Sequence, residues 1–395
     1  MSRHFPLRKG LLCFLAAAAS CAGCRRSTRP SPVAPAAGIP AFQTVTIVPE
    51  EQHGVVDLYR FVDSVAFIPL ETRPECLIGK VEKLIPCGPD FYIWDPLTSC
   101  IFRFSDSGRF RYKIDLRAPE TGCRMAATDV AVSPADGSVY VYDGPARTVF
   151  RYDSTGRPAG TLACPAVVSS LAVVGRDTLL CYSDRLPNAM LYGASFPEQF
   201  RFSVLHGGKT LRSELPCTYR EEWLSVPVAL GAFSLYNDTL LLTEYASKQI
   251  YTIAAGLHPV PRYRIVFANN RAEFSFEETP AEALSDPAAY FRSPGYSRLE
   301  KITETDKYLF IIYTYRGYLF LSIYDKFTQE VHSIGMFWLD TKRQVGLPVR
   351  FQAADSNKGC LYRVMEKQEI NNQKQPVPSN TLYDNPVIIK YSLKK

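Results

Sequence analysis

The sequence predicts an all-β chain built as a β-propeller, and three observations carry that reading. Aromatic residues are 12% of the 395 positions, 23 Tyr and 23 Phe against only 3 Trp, and they sit in short runs that alternate apolar with polar residues, as half-buried strands do. The 29 Pro and 23 Gly break those runs at intervals too short for helices. The runs also recur in groups of four at a near-constant spacing, which is the signature of propeller blades. A hydrophobic fraction of 46% with 21% charged residues supplies a large core and excludes a disordered chain. The charge, 45 basic against 39 acidic residues for a net +6, is spread without dense Lys/Arg clusters, so no nucleic-acid partner is expected.

Taken from the start, residues 1–24 read MSRHFPLRKGLLCFLAAAASCAGC. Arg3, Arg8 and Lys9 make a basic start, and Leu11 to Ala19 form an apolar run of the kind found in secretory signals. The run is shorter than the ~20 residues needed to span a bilayer, and no later segment is long and apolar enough, so the mature chain is not expected to cross a membrane. The small residues before a cysteine resemble the lipobox of bacterial lipoproteins, with Ala22-Gly23-Cys24 the better match and Ala19-Ser20-Cys21 the second. That resemblance implies lipid attachment at Cys24, alternatively Cys21, and an exported protein anchored in the bacterial cell envelope, on either the periplasmic or the outer-membrane face. Residues 1–23 are read as the signal peptide and 24–43, rich in Pro, Ser and Ala, as a semi-extended tether. A single propeller domain takes up 44–395.

The first repeat runs from 81 to 115 as VEKLIPC, FYIWD, CIFRF and FRYKID, and the second from 127 to 162 as ATDVAVS, VYVYD, VFRYD and AGTL. Asp95 answers to Asp143, Phe104 to Tyr152 and Gly108 to Gly156, each 48 positions on, close to the ~40 to 50 residues of one blade. Three looser units follow, built on LAVVGRDTLLCYSD, GAFSLYNDTLLLTEY and EKITETDKYLFIIYTY. A sixth is assembled from PVRFQAADSNKGCLYRVME and NPVIIKYSLKK, with its missing strand supplied by the N-terminal FVDSVAFIPL. Closure of that kind removes open sheet edges.

The segments VDSVAFIPLET, CLIGKVEKLIPCGPDFYIWD and IFRFSDSGRF resemble the six-bladed, NHL-like β-propeller lipoproteins of bacteria, a family largely of unknown function. The resemblance covers residues 55 to 395, and the first 110 match best. It implies a six-bladed propeller of four-stranded meanders, closed by an N-terminal strand that completes the last blade. The family's Gly-Pro-Gly-Glu-like stretch between the first two blades is replaced here by RAPETGCRMA. Division of residues 46 to 390 by six gives about 57 per blade, above the usual ~40 to 50, so six blades require long loops and seven stays open.

Loop lengths are uneven between the two faces. Connections such as GPD, GRD, YND and SDSGR are bare turns, whereas residues 116–126, 184–198, 216–230, 268–298, 335–346 and 367–384 all belong to the opposite face. Insertions gathered on one face of a repeat protein mark a binding face. Its candidate ligand contacts are Arg124, Tyr192, Trp223, Arg292, Tyr296, Tyr315 and Arg316, aromatic rings for stacking on a sugar or peptide and guanidiniums for anionic groups. Within 268–298, Thr279 and Pro280 give the start of a short helix.

Catalytic patterns are weak. Beyond the signal the histidines are His53, His206, His258 and His332, and no GxSxG, HExxH or DxDxDG stretch occurs, so neither a hydrolase triad nor a metal or cofactor site is expected. The eight cysteines of the mature chain (Cys76, Cys87, Cys100, Cys123, Cys164, Cys181, Cys217, Cys360) show no CxxC spacing. Their even number permits disulfides in an exported chain, but most read as buried small hydrophobes. The leading expectation is a non-catalytic module that binds a glycan, peptide or envelope protein through its long-loop face. The alternative is a propeller-type glycan-active hydrolase or lyase, with Glu221, Glu222 or Glu244 as acid and base and Arg316 beside them.

Overall fold

In the computed structural model the runs form antiparallel meanders whose sheets pack face to face, so inner strands such as Asp90–Asp95, Val139–Asp143 and Cys360–Met365 are buried at every position, on both faces. The structure describes residues 42–49, 56–117, 125–184, 186, 188, 198–218, 231–245, 247–268, 297–366, 369 and 384–394. All belong to the unit Pro40–Lys395. The signal, the lipidation candidates Cys21 and Cys24 and most of the tether lie outside the described residues.

Three short strands open the unit: β1 (Gln43–Ile47), β2 (Val56–Asp57) and β3 (Val62–Pro69). The first meander is β4 (Lys83–Cys87), β5 (Asp90–Asp95), β6 (Cys100–Ser105) and β7 (Phe110–Asp115), and the second β8 (Ala127–Val132), β9 (Val139–Asp143), β10 (Thr148–Tyr152) and β11 (Pro158–Ala163). A third comprises β12 (Ser170–Gly175), β13 (Thr178–Tyr182), β14 (Glu198–His206) and β15 (Lys209–Thr218). The fourth is β16 (Phe233–Tyr236), β17 (Thr239–Glu244), β18 (Gln249–Ile253) and β19 (Pro259–Phe267), to which β1 adds a parallel fifth strand. The fifth is β20 (Ser297–Glu304), β21 (Tyr308–Tyr315), β22 (Tyr318–Asp325) and β23 (Val331–Gly335). After it come β24 (Phe337–Asp340) and β25 (Val345–Pro348), which pair with β2 in a three-stranded sheet, and finally β26 (Ala353–Asp355), β27 (Cys360–Met365) and β28 (Val387–Leu393) with β3 on their edge.

That makes seven blades, so the six-blade expectation is corrected. The additional blade overlaps 335–346, a stretch expected to be a long loop, where β24 and β25 pair antiparallel from Phe337↔Pro348 to Asp340↔Val345. Its strands are too short to stand out as a repeat, and its third strand comes from the far end of the chain. What holds it is Trp338, fully buried, with ring centroids 5.4 Å from Phe351 and 5.5 Å from Tyr391.

The expectation of one N-terminal closing strand is corrected as well. The N-terminal segment is shared among three sheets: β1 runs parallel to β19, β2 parallel to β24, and β3 antiparallel to β28. Apolar clusters join successive sheets around the unit. Phe91 of β5 meets Tyr362 of β27 edge-on at 5.1 Å, while Tyr142 of β9 and Cys181 of β13 share one cluster.

The matched repeat residues have a common structural task. Asp95 and Asp143 each end the second strand of a blade, and each carboxylate receives backbone N–H groups from two places. Asp95 accepts from Leu97 N at 2.8 Å and from Gly79 N at 2.7 Å, Asp143 from Ala146 N and Ala126 N, both at 3.0 Å. Each side chain thereby ties its hairpin turn to the segment leading into its own blade. Gly108 and Gly156 both adopt positive φ, +82° and +83°, as their tight turns require.

Candidate functional site

A connection from one sheet to the next must precede the first strand of the sheet it enters. The first strands of six sheets (β4, β8, β12, β16, β20 and β26) therefore all begin on the face where the inter-sheet connections emerge. Together they enclose a central cavity of about 530 Å³, with Leu171, Val173, Phe233 and Ile302 in its apolar wall. No described residue of the three-stranded blade lines it.

Polar side chains near the starts of these strands strap them together. Lys83 Nζ on β4 donates to Asp129 Oδ1 and to Val130 O on β8, both at 2.7 Å. The other oxygen of Asp129 accepts Leu171 N of β12 at 2.7 Å, and Ser170 Oγ accepts Ala232 N at 3.0 Å. Lys301 Nζ on β20 donates to Gln352 O beside β26. Each strap satisfies a group that the packing would otherwise leave without a partner.

Charge is not balanced evenly around the cavity. Its four lining carboxylates each have a cation close by: Glu82 with Lys80 at 2.6 Å, Asp129 with Lys83 at 2.7 Å, Glu300 with Arg298 at 2.7 Å, and Glu304 with Arg262 at 2.6 Å and Lys326 at 2.8 Å. Among the described residues Lys301 and Arg350 have no such carboxylate. Lys301 touches the lumen but is ringed by protein, and this burial, reinforced by the positive charges of Lys83 and Arg350, pushes its ammonium down to about 8. Arg350 is exposed at the rim.

The residues expected as ligand contacts are placed only in part. Tyr315 is buried in the core between sheets, its ring 5.7 Å from that of Phe320. Arg316 is exposed at the tip of the β21–β22 hairpin, a two-residue turn in which Arg316 and Gly317 both take positive φ. Its guanidinium lies 5.0 Å from the Tyr315 ring centroid, and neither residue lines the cavity. Arg124, Tyr192, Trp223, Arg292 and Tyr296 lie outside the described residues, as do Glu221, Glu222 and the Thr279 helix.

Glu244, the third carboxylate of the hydrolase alternative, ends β17, is fully buried and does not line the cavity. It stands 2.8 Å from Arg201 Nε, accepts Ser247 Oγ at 2.9 Å, and burial pushes its pKa up. His206 Nδ1 lies 2.9 Å from Thr178 Oγ1 and His258 Nδ1 2.9 Å from Glu214 Oε1, both as turn-supporting contacts. Cys76, Cys100, Cys164, Cys181 and Cys360 are buried and Cys87 half-buried, and these six carry no disulfide. Among the described residues no three His, Cys, Asp or Glu side chains come together as a metal ion would need, and no helix is long and apolar enough to cross a membrane.

Lys83, Lys301 and Arg350 were not among the sequence candidates, which were sought in the long connections. A signal for two of them was present: VEKLI at 81–85 and LEKIT at 299–303 place the same Glu-Lys pair at the first strand of two different blades, at the start of β4 and within β20.

A family model described as a domain of unknown function, DUF4934, matches residues 42–392. The chain belongs to that family. The DUF4934 match spans all seven blades, from β1 to β28. Two solved structures from Bacteroides share its fold. One is BF0058 of Bacteroides fragilis, named as a candidate exported protein, at 15% identity and a TM-score of 0.68 over 89% of this chain and 100% of that one. The other is a member of the DUF4221 family from Bacteroides vulgatus, at 12% identity and a TM-score of 0.53 over 84% of this chain and 97% of that one. No curated protein matches the sequence.

Proposed function

We propose that this DUF4934 chain is an exported, lipid-anchored and non-catalytic binding module of the bacterial cell envelope, and that it takes its ligand at the mouth of the central channel. The observation that carries the reading is the cavity itself: about 530 Å³, walled by apolar side chains, with Lys83, Asp129, Glu300, Lys301 and Arg350 among the polar groups that line it. A concave apolar site with a few convergent polar groups is the usual form of a small-ligand pocket. Export is supported by the signal-like first 24 residues and by the name of the B. fragilis relative of the fold, and lipid attachment by the match around Cys24, with Cys21 second. A non-catalytic role is favoured because Glu244, the described carboxylate of the hydrolase set, is fully buried against Arg201 and away from the cavity lining.

Thermal unfolding of the protein against panels of oligosaccharides and peptides tests this reading. A ligand at 100 times its Kd stabilises a fold by about 2.7 kcal/mol, a shift easily read. Stabilisation by one ligand class without turnover is the expected result. Turnover of the stabilising ligand, or stabilisation by no ligand of either panel, contradicts it.

A further inference from the structure

We infer that the channel mouth is an anion site, which holds the carboxylate or phosphate group of a small polar ligand between Lys301 and Arg350. The inference rests on the channel-binding reading above and adds the chemical class of the ligand. Its basis is the charge pattern at the cavity: among the described residues every lining carboxylate is already paired with a cation, through Lys80, Lys83, Arg298, Arg262 and Lys326. Among those residues, what is left over faces the lumen and is positive.

Lys301 bears the effect of this charge directly, since its ammonium is depressed by burial and by the positive charges of Lys83, itself paired with Asp129, and of Arg350. An isolated lysine strap would be served equally well by a neutral donor, because its acceptor, the carbonyl of Gln352, is uncharged. An anion between Lys301 and Arg350 relieves the repulsion and receives charge-assisted hydrogen bonds from both. Arg350 lies two residues before Gln352, on the segment that Lys301 grips, so both cations are fixed to one edge of the cavity. The guanidinium supplies a fork for two oxygens, and the ammonium a point charge beside it. The apolar wall formed by Leu171, Val173 and Phe233 leaves room for the uncharged body of the ligand.

Calorimetric titration of the full-length protein with glucose, glucuronate and glucose 6-phosphate tests the inference, because the three differ only at C6. The expected result is binding of at least one anionic sugar, ten-fold or more tighter than glucose, with proton uptake on binding at pH 8.5 as Lys301 recharges. Which anionic sugar binds separates carboxylate from phosphate. Arg350→Gln, at an exposed position outside the straps, should fold normally and weaken the anionic sugar ten-fold or more, and Lys301→Met should abolish the proton uptake. Equal affinity for glucose and the anionic sugars, or unchanged anion binding in Arg350→Gln, overturns the inference. Binding of neutral oligosaccharides or peptides with neither anionic sugar bound overturns the anion site and leaves the channel reading standing. No binding of any of them overturns both.

Discussion

Lys301 and Asp95 show how single residues in this fold carry different obligations. The ammonium of Lys301 titrates near 8 in the folded protein, below the ~10.4 of a free lysine. Its charged form is therefore penalised by folding at neutral pH, and the penalty disappears as the pH rises from about 8 to about 10, where the unfolded chain binds the extra proton. Urea unfolding across that range should show the wild type gaining stability relative to Lys301→Met as pH increases. Parallel profiles for the two proteins would remove Lys301 from the account. Asp95 is a buried carboxyl that accepts four hydrogen bonds, from Gly79 N, Leu97 N, Thr98 N and Thr98 Oγ1. Asp95→Ala strands those donors and should cost about 2–4 kcal/mol, read as a fall in Tm, whereas exposed Asp106 in the neighbouring turn should tolerate the same change.

At the scale of elements, turns and short strands decide how blades meet. Gly108 sits at φ +82° in the β6–β7 turn, and a Cβ there would lie 2.1 Å from Pro69 O at the end of β3. Gly108→Ala therefore forces β3 and the turn apart and should destabilise the fold by about 2–4 kcal/mol. Gly88, with positive φ but open space around it, should lose less, and equal losses would show that the approach to β3 is unimportant. The three-stranded blade depends on Trp338, and Trp338→Ala should cost about 3–5 kcal/mol by leaving a cavity against Phe351 and Tyr391. Proteolysis within β24 and β25 would be its first sign. These elements also mark where the sequence was legible. The first two meanders could be read strand by strand because Asp95/Asp143 and Gly108/Gly156 perform identical turn chemistry 48 residues apart. The three-stranded blade could not, because four-residue strands give no countable alternation and β2 reaches them from a remote segment.

The whole molecule follows the same division. Its all-β propeller character was legible because alternation and turn residues act locally, while blade number and the use of the N-terminus depend on pairings between distant segments such as β1 with β19 and β2 with β24. For the site, the long connections drew attention to aromatic and arginine residues there, and of these Tyr315 proved to be core. Of the cations that face the cavity, Lys83 and Lys301 lie instead on first strands, each in a Glu-Lys pair set in an apolar run, and Arg350 on the short segment between β25 and β26. Only the closed ring brings Lys83, Lys301 and Arg350 to one cavity.

The central claim, that a ligand occupies the mouth of the channel, is tested most directly by lysine labelling. Acetylation rates at pH 8, read peptide by peptide with mass spectrometry, should be compared with and without the small molecule that most stabilises the protein. Lys301 should lose reactivity at least ten-fold on ligand binding while exposed Lys113 and Lys342 keep theirs. Unchanged labelling of Lys301 under saturating ligand, with protection elsewhere on the surface, would show that the ligand sits outside the channel.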